Sequence, residues 1–232
     1  MAFRSSLIYV QAGAAVLLAA TLLIVSAPRL IAQLSLATVT SPAEENLAPE
    51  ELDSDIDSAV RAIAWQAGDR NAYLRLAKLW LKGFDLQSQA GFKEEANQSR
   101  DQAQAIMQAG LEAAPGAPDM WFSLAQLEAT RGGYNDKVAL FLRNSYLTGP
   151  REQWVGAQRV EFSVLHWSSL DPSLRGLLQR ELRYQPIRSL ARLSIGAPPD
   201  VVTMIDSEVA VRPDNEQRAF LREAKRVSRG SS

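Results

Sequence analysis

Few side chains in this 232-residue sequence have the types and spacing that catalysis requires. The chain contains one histidine, His166 in "SVLHWSS", and no cysteine, which excludes thiol chemistry, disulfides and cysteine-based metal sites. No second histidine is present to join His166 in a zinc site. A lone histidine beside Trp167 near a helix end is typical of a structural side chain. A catalytic role for His166 would require a polar pocket around it.

The carboxylates form three clusters, namely Glu50 with Glu51, Asp53 with Asp55 and Asp57, and Glu94 with Glu95. Paired carboxylates can hydrolyse glycosidic bonds, and alternating aspartates resemble the start of a calcium loop. The calcium pattern lacks its central glycine and its closing glutamate, and all three clusters are explained by solvation on a linker or an outer helix face. No glycine-rich phosphate loop and no G-x-S-x-G elbow occur. We therefore expect a protein that is not an enzyme and that holds no cofactor or metal.

The charge of the chain indicates which partners to expect. The formal net charge is -1, whereas nucleic-acid-binding proteins are usually basic, so we expect no nucleic-acid partner. Acidic residues concentrate between Ser41 and Arg70, and the C-terminal third is mildly basic. Arg218, Arg222 and Arg226 recur every fourth residue on the last predicted helix. This stripe is either a solvated face or a surface for phospholipid head groups or an acidic glycan.

The N-terminal segment Leu7–Ala27 is apolar and carries no charge. As a helix rising about 1.5 Å per residue it would span roughly 30 Å, the thickness of a bilayer core. We expect residues 1–29 to form a retained transmembrane anchor. A signal peptide cut after Ala27 is the main alternative, although Pro28 follows the cut unfavourably, and a buried helix of a soluble protein is the third. The short N-terminal flank favours a chain whose bulk lies outside the cytoplasm.

An internal repeat follows an acidic linker at residues 30–52. The segment "RNAYLRLAKLWLKG" (70–83) aligns with "PDMWFSLAQLEATR" (118–131), which places Tyr73 on Trp121 and superimposes their Leu-Ala pairs. An aromatic followed by Leu-Ala suits the first helix of a helical hairpin, because alanine lets the second helix approach closely. Apolar spacings of three and four recur and alternating patterns are absent, so we expect an all-α fold.

The remaining segments extend this pattern. Second helices are predicted in "RDQAQAIMQAGLEAAP" and "KVALFLRNSYLTGP", each ended by a proline, and a third unit starts at Trp154. A half-repeat at 53–69 precedes the first unit, and an insertion around "FDLQSQAGFKEEANQ" interrupts it. The hairpins of residues 53–170 would stack into a solenoid. Three or four helices in residues 171–232 would cap its end, and Tyr73, Trp80, Trp121 and Trp154 would be core wedges.

The aromatic–Leu-Ala core and the helix-ending Pro115 and Pro150 resemble the tetratricopeptide family. From about 113 to 193, "PDMWFSLAQLEATRGG", "RNSYLTGPREQW", "QRVEFSVLHWSSLDPSLRGLLQRELR" and "PIRSLARL" look like the helical tail of proteobacterial O-antigen ligases and related polysaccharide-assembly membrane proteins. In those proteins the tail follows a many-helix membrane unit, whereas one apolar segment precedes it here. The resemblance therefore implies an accessory role and no ligase chemistry.

In the tetratricopeptide family, ligands contact the inner face of the first helices. The repeat register places on that face the candidate partner-binding residues Asn71, Lys78, Lys82, Asp119, Phe122, Gln126 and Thr130. Phe122 has two interpretations, an exposed anchor for a peptide or a side chain packed on the neighbouring hairpin.

From these residues and the resemblance we expect a single-pass bacterial inner-membrane protein, held by residues 7–27, with most of its chain in the periplasm. It would be a scaffold for protein partners in envelope polysaccharide (exopolysaccharide, capsule or O-antigen) assembly or export. An accessory or assembly subunit of another inner-membrane complex, for cytochrome maturation, respiration or photosynthesis, is the alternative. An enzyme built around His166 is a third class.

Overall fold

The computed structural model describes residues 31–33 and 49–230, and these residues contain helices and no strand. The helices in 49–230 are α1 (Pro49–Trp65), α2 (Arg70–Gln89), α3 (Lys93–Ala113), α4 (Pro118–Gly132), α5 (Asp136–Thr148), α6 (Gln153–Leu165), α7 (Pro172–Leu182), α8 (Ile187–Leu193), α9 (Pro199–Ala210) and α10 (Asp214–Gly230), with a 3₁₀ turn at Trp167–Ser169 between α6 and α7. This content confirms the all-α fold that the sequence predicts.

The predicted anchor, Leu7–Ala27, lies outside the described residues, as does most of the predicted linker. Within 31–33 and 49–230, no helix combines the length and apolar character that a bilayer crossing needs.

The chain divides into two compact units between Pro115 and Gly116. This boundary falls inside the segment 53–170 that the sequence predicts to be one run of repeats. Each unit has its own apolar core, and the repeat stacking stays a prediction.

The first unit is built around an antiparallel hairpin of α2 and α3, with α1 packed on α2. The Asp69 carboxylate caps α2 by accepting the Asn71 backbone N–H at 2.9 Å. Gly91 lies in the turn with a φ of 83°, a conformation that glycine adopts without strain. Near the crossing, a Cβ built on Gly83 would lie 3.5 Å from Ser99 Oγ, so a small residue allows the helices their close approach.

The insertion predicted in the first hairpin is largely helical. Helix α2 continues to Gln89, and α3 begins at Lys93, seven residues before the segment predicted to form the second helix. Polar and charged residues dominate this stretch, so it adds helical turns without adding an apolar face that periodicity could reveal. Ser99 Oγ donates to Gln87 Oε1 at 2.8 Å and joins the extended parts.

The second unit begins with the hairpin of α4 and α5. Gly133 ends α4 at a φ of 74°, and the Asn135 side chain caps α5 by accepting from the backbone N–H groups of Lys137 and Val138. The Leu-Ala pairs that align in the two repeats are buried in both hairpins, at Leu76-Ala77 and Leu124-Ala125. The aligned positions therefore have the core role that the repeat predicts.

Helices α6 to α10 complete the second unit, and α7 to α10 are four helices where the sequence predicts three or four. Its core draws on every one of its helices, with Leu142, Leu178, Leu190, Ile205 and Phe220 among its buried members. The helices α3 and α5 end at Ala113 and Thr148, each two residues before the proline that marks the predicted stop.

The prediction that Trp154 is a core wedge is wrong. A helix does start at Gln153, yet the Trp154 side chain is 50% exposed. Tyr73, Trp80 and Trp121 are partly buried, as wedges between helices are.

Candidate partner-binding groove

A buried arginine joins three helices of the second unit. Arg159 on α6 is fully buried, and it forms an ion pair with Glu181 on α7 through two hydrogen bonds. Its Nη1 donates to the Ser145 carbonyl at 2.5 Å and its Nη2 donates to the Gly149 carbonyl at 2.8 Å. These carbonyls end α5, where a cation is favourable because of the helix dipole. The guanidinium therefore positions the middle of α6 against α5 and α7.

Aromatic and hydroxyl groups complete this buried centre. The Tyr146 ring lies 4.8 Å from the Arg159 guanidinium carbon, and its hydroxyl shares a hydrogen bond of 2.9 Å with Ser163 Oγ. Burial raises the pKa of Tyr146. Burial also raises the pKa of Glu181 to about 7, and the hydrogen bonds and charge of Arg159 limit the rise. Because these polar groups satisfy one another, the centre joins α5, α6 and α7 through a connected set of buried hydrogen bonds.

A glycine lets α6 approach the carboxylate. A Cβ built on Gly156 would lie 2.6 Å from Glu181 Oε1, which is closer than van der Waals contact allows. The same Cβ would lie 3.3 Å from the Gln185 side-chain nitrogen. Any larger residue at this position would displace the carboxylate that Arg159 holds.

Two adjacent cavities along α6 form a groove on the second unit. The first has a volume of about 530 Å³ and lies between α6, α8 and the turn that follows α8. The second, of about 360 Å³, lies between the N-terminal part of α6 and the α7–α8 connection. Both are lined by Ala157, Gln185 and Ser189, and we call the two together the α6 groove.

The residues of α6 that line the first cavity lie on one face of the helix. Its members recur at spacings of three and four residues, and they are Ala157, Val160, Glu161, Val164 and Leu165. Opposite them stand Leu190 and Leu193 of α8, with Ile195 and Pro198 beyond its end. From Trp154 to Leu165 the groove follows α6 for roughly 17 Å, about three helical turns.

Large apolar side chains mark both ends of the α6 groove. Leu165 is 78% exposed at one end. At the other end Trp154 and Tyr184 are each about half exposed, and the Trp154 indole N–H donates to the Glu152 carboxylate at 3.1 Å. Exposed apolar residues that line a concavity are typical of a surface that binds another molecule.

His166 lies at the end of α6 among aromatic rings. Its ring centroid is 4.5 Å from that of Phe162 and 5.4 Å from that of Tyr134. Burial lowers the pKa of His166, and burial raises the pKa of Tyr134 to about 12. These contacts support the interpretation of His166 as a structural side chain. Within the described part of the chain, no group of three metal-ligating side chains lies together.

The residues predicted to bind a partner are divided between the two units. Asn71 and Lys78 are exposed on α2, and Lys82 is partly buried there. Gln126 and Thr130 are exposed on α4.

Two predicted partner-binding residues are buried. Phe122 is 2% exposed, and its ring packs edge-to-face on Phe162 with 5.7 Å between centroids. This contact decides between its two interpretations in favour of packing. Asp119 is 4% exposed. The repeat register places both side chains on a face open to a partner, whereas in the structure both are covered by the rest of the fold.

The repeat register does not lead to the α6 groove, because the groove lies beyond the aligned segments. One signal in the sequence was available. The apolar residues Val160, Val164 and Leu165 form a stripe on α6, and such a stripe predicts a buried face without saying which helix covers it.

Comparisons with protein-family models, with curated proteins and with solved structures find no match for this chain. The resemblances to tetratricopeptide proteins and to the O-antigen ligase tail therefore stay predictions that rest on the residues quoted above.

Proposed function

We propose that this protein is a binding module whose α6 groove receives the apolar face of a short amphipathic segment from a partner protein. The observation that carries the proposal is the exposure of Leu165, Trp154 and Tyr184 along a concavity of the second unit. A groove of about three helical turns suits a partner helix whose apolar residues recur at spacings of three and four.

The wider role that we propose is a scaffold in bacterial envelope polysaccharide assembly or export, anchored in the inner membrane by residues 7–27 with its helical units in the periplasm. Its support is the resemblance to the tail of polysaccharide-assembly membrane proteins and the apolar character of Leu7–Ala27. An accessory subunit of another inner-membrane complex is the alternative. A scaffold needs no reactive groups, and the polar centre at Arg159 serves its fold.

Two substitutions on adjacent residues of α6 test the groove. Ala157 lines both cavities, so Ala157→Glu places a charge on the groove floor. Gln158 is exposed and lines neither cavity, so Gln158→Glu is the matched control. Both replacements keep a good helix former at the position. The full-length chain is recovered from its native host in mild detergent, and copurifying proteins are identified by mass spectrometry.

We expect the wild type and Gln158→Glu to recover the same membrane partners, and Ala157→Glu to lose them. Equal recovery with all three chains would show that the groove is not the binding site. Enrichment of polysaccharide-assembly proteins over a chain lacking residues 1–29 supports the wider role. Enrichment of an electron-transfer or cytochrome-assembly complex favours the alternative.

A further inference from the structure

A third cavity adjoins the α6 groove and has a different character. It has a volume of about 380 Å³ and lies between the end of α5 and α7 in the second unit. It shares Arg151 and Tyr184 with the second cavity of the groove, so the two cavities are adjacent. Two further arginines, Arg180 and Arg183, stand in its wall beside Leu147. We call this cavity the arginine pocket.

The positive charge of the arginine pocket is not balanced by the carboxylates near it. Glu181 also lines the pocket, but its carboxylate is bound to the buried Arg159. Arg183 has a carboxylate partner, since its Nε lies 3.4 Å from Glu208. Its side chain is nevertheless 65% exposed, so this pair leaves the guanidinium accessible.

Arg151 and Arg180 have no carboxylate partner among the residues that the structure describes. The Arg151 guanidinium lies over the Tyr184 ring, 5.9 Å from its centroid. Arg180 Nε donates to the Gly176 carbonyl at 3.4 Å, a long bond to its own helix. Each guanidinium carries five N–H donors, so most donors of both side chains face solvent or the pocket.

We infer that the partner segment is an acidic amphipathic peptide, whose apolar side chains occupy the α6 groove while one of its carboxylates binds between Arg151 and Arg180. Guanidinium groups bind carboxylates through paired, charge-assisted hydrogen bonds, which fix orientation as well as affinity. Arg151 and Arg180 lie at one end of the groove, so a carboxylate bound between them would also set the direction in which the peptide lies. This inference rests on the proposed function, because the peptide is held in the same groove.

The test is selection of phage-displayed random 16-residue peptides on the immobilised full-length chain. Each selected clone is then measured for binding to four variants, two that alter the site and two matched controls. Ala157→Glu blocks the groove and Gln158→Glu controls for the added charge. Arg151→Gln with Arg180→Gln neutralises the arginine pocket. Arg218→Gln with Arg222→Gln removes the same charge from exposed positions on α10, which line none of the three cavities.

We expect clones that lose binding to Ala157→Glu to be enriched in Asp and Glu beside apolar residues. Synthetic peptides from these clones should bind the Arg151/Arg180 variant about tenfold more weakly or worse, and the two control variants as tightly as the wild type. Replacing the acidic residues of a peptide by their amides should cause the same loss and abolish the difference between the wild type and the Arg151/Arg180 variant.

Other outcomes separate the two ideas. Groove-dependent clones without acidic enrichment, equally bound by the Arg151/Arg180 variant, would overturn the inference and leave the proposed function standing. Absence of any groove-dependent clone would overturn both. Polygalacturonate is the probe for an acidic glycan. If polygalacturonate binds the wild type but not the Arg151/Arg180 variant, and no acidic peptide is recovered, the pocket binds a glycan and the inference is overturned.

Discussion

At the scale of single residues, the buried charge of Arg159 has the largest predicted effect on stability. Replacing it by methionine removes the partner of Glu181 and the donors to two carbonyls at the end of α5. Breaking a buried ion pair in this way costs about 3–5 kcal/mol. We expect Arg159→Met to lower the free energy of unfolding by an amount in this range, measured by urea denaturation.

The pH dependence of the stability of Arg159→Met follows from the direction in which the pKa of Glu181 is shifted. Burial raises the pKa of Glu181 from 4.5 to about 7, and Arg159 limits the rise. Without Arg159 the pKa rises further, so the folded state favours a neutral carboxyl. The stability that the neutral Glu181 carboxyl gives to the folded state is fully present below pH 4.5, and it is lost as pH rises through the folded pKa. Below about pH 7 Glu181 is protonated in both folded proteins, so their stabilities should change with pH in parallel. Above about pH 7 Arg159→Met should lose further stability relative to the wild type, and a relative gain there would contradict the assignment.

Replacing glycine by alanine should have opposite effects on stability at Gly156 and at Gly176. At Gly156, an added Cβ would lie 2.6 Å from Glu181 Oε1, whereas at Gly176 nothing lies within 4 Å of it. Alanine is favoured over glycine inside a helix by roughly 0.5–1 kcal/mol. We expect Gly176→Ala to raise the midpoint of urea unfolding and Gly156→Ala to lower it. Equal increases for both would show that the Glu181 carboxylate is not held in place.

The single histidine can be followed by NMR without any substitution. Burial between aromatic rings lowers the pKa of His166 below its ordinary value of 6.5, so its Hε1 resonance should titrate with a midpoint below 6.5. In urea the midpoint should return to about 6.5. The neutral ring therefore contributes stability above pH 6.5, and this is lost as pH falls through the folded pKa. A midpoint above 6.5 would indicate a carboxylate partner and would favour a catalytic role.

At the scale of helices, α7 depends on Asp171. Its Oδ1 accepts the Leu174 backbone N–H at 3.0 Å, and its Oδ2 accepts from Arg143 Nη2 at 2.7 Å. Loss of such a cap costs about 1 kcal/mol, and a partly exposed ion pair contributes less. We expect Asp171→Ala to lower the free energy of unfolding by at least that amount. Asp171→Asn keeps the cap, so it should cost less, and equal losses would show that the cap contributes nothing.

Helix positions were predictable where a local signal marks an end. Asp69, Asn135 and Asp171 each cap a helix, and Pro118 and Pro172 each begin one. The helical form of the insertion in the first hairpin was not predictable, since its polar residues carry no apolar period. The exposure of Trp154 was also unpredictable, because an aromatic at a repeat position is buried only when another helix covers it. The sequence does not show which helix does so.

The candidate site was the less predictable part. Asp119 and Phe122 were assigned to a binding face by register, and both are buried. The α6 groove depends on where α8 packs, and α8 has seven residues and no repeat partner. The positive charge of the arginine pocket depends on the ion pair between Arg159 and Glu181, because this pair keeps the Glu181 carboxylate from neutralising the pocket arginines. Such pairing is decided by tertiary contacts, which a single sequence does not display.

At the scale of the molecule, the apolar cores follow the boundary between Pro115 and Gly116. One cluster of buried residues draws only on residues before Pro115, around Leu76 and Leu79. The other draws only on residues after Gly116, around Leu142 and Leu178. The groove, the arginine pocket and the buried Arg159 all belong to the second unit. The features that carry the proposed function therefore share one core.

A chain limited to residues 116–232 should consequently fold by itself. Its core is of the size that supports an independent domain, and such domains usually unfold in one cooperative transition. We expect this fragment to show near-ultraviolet circular dichroism from its packed tryptophans and a single sigmoidal urea transition. Leu178→Ala, which empties a fully buried position, should lower that transition's free energy by about 2–5 kcal/mol. A broad transition insensitive to Leu178→Ala would mean that the second unit needs the first, and the groove would then have to be studied only in the full-length chain.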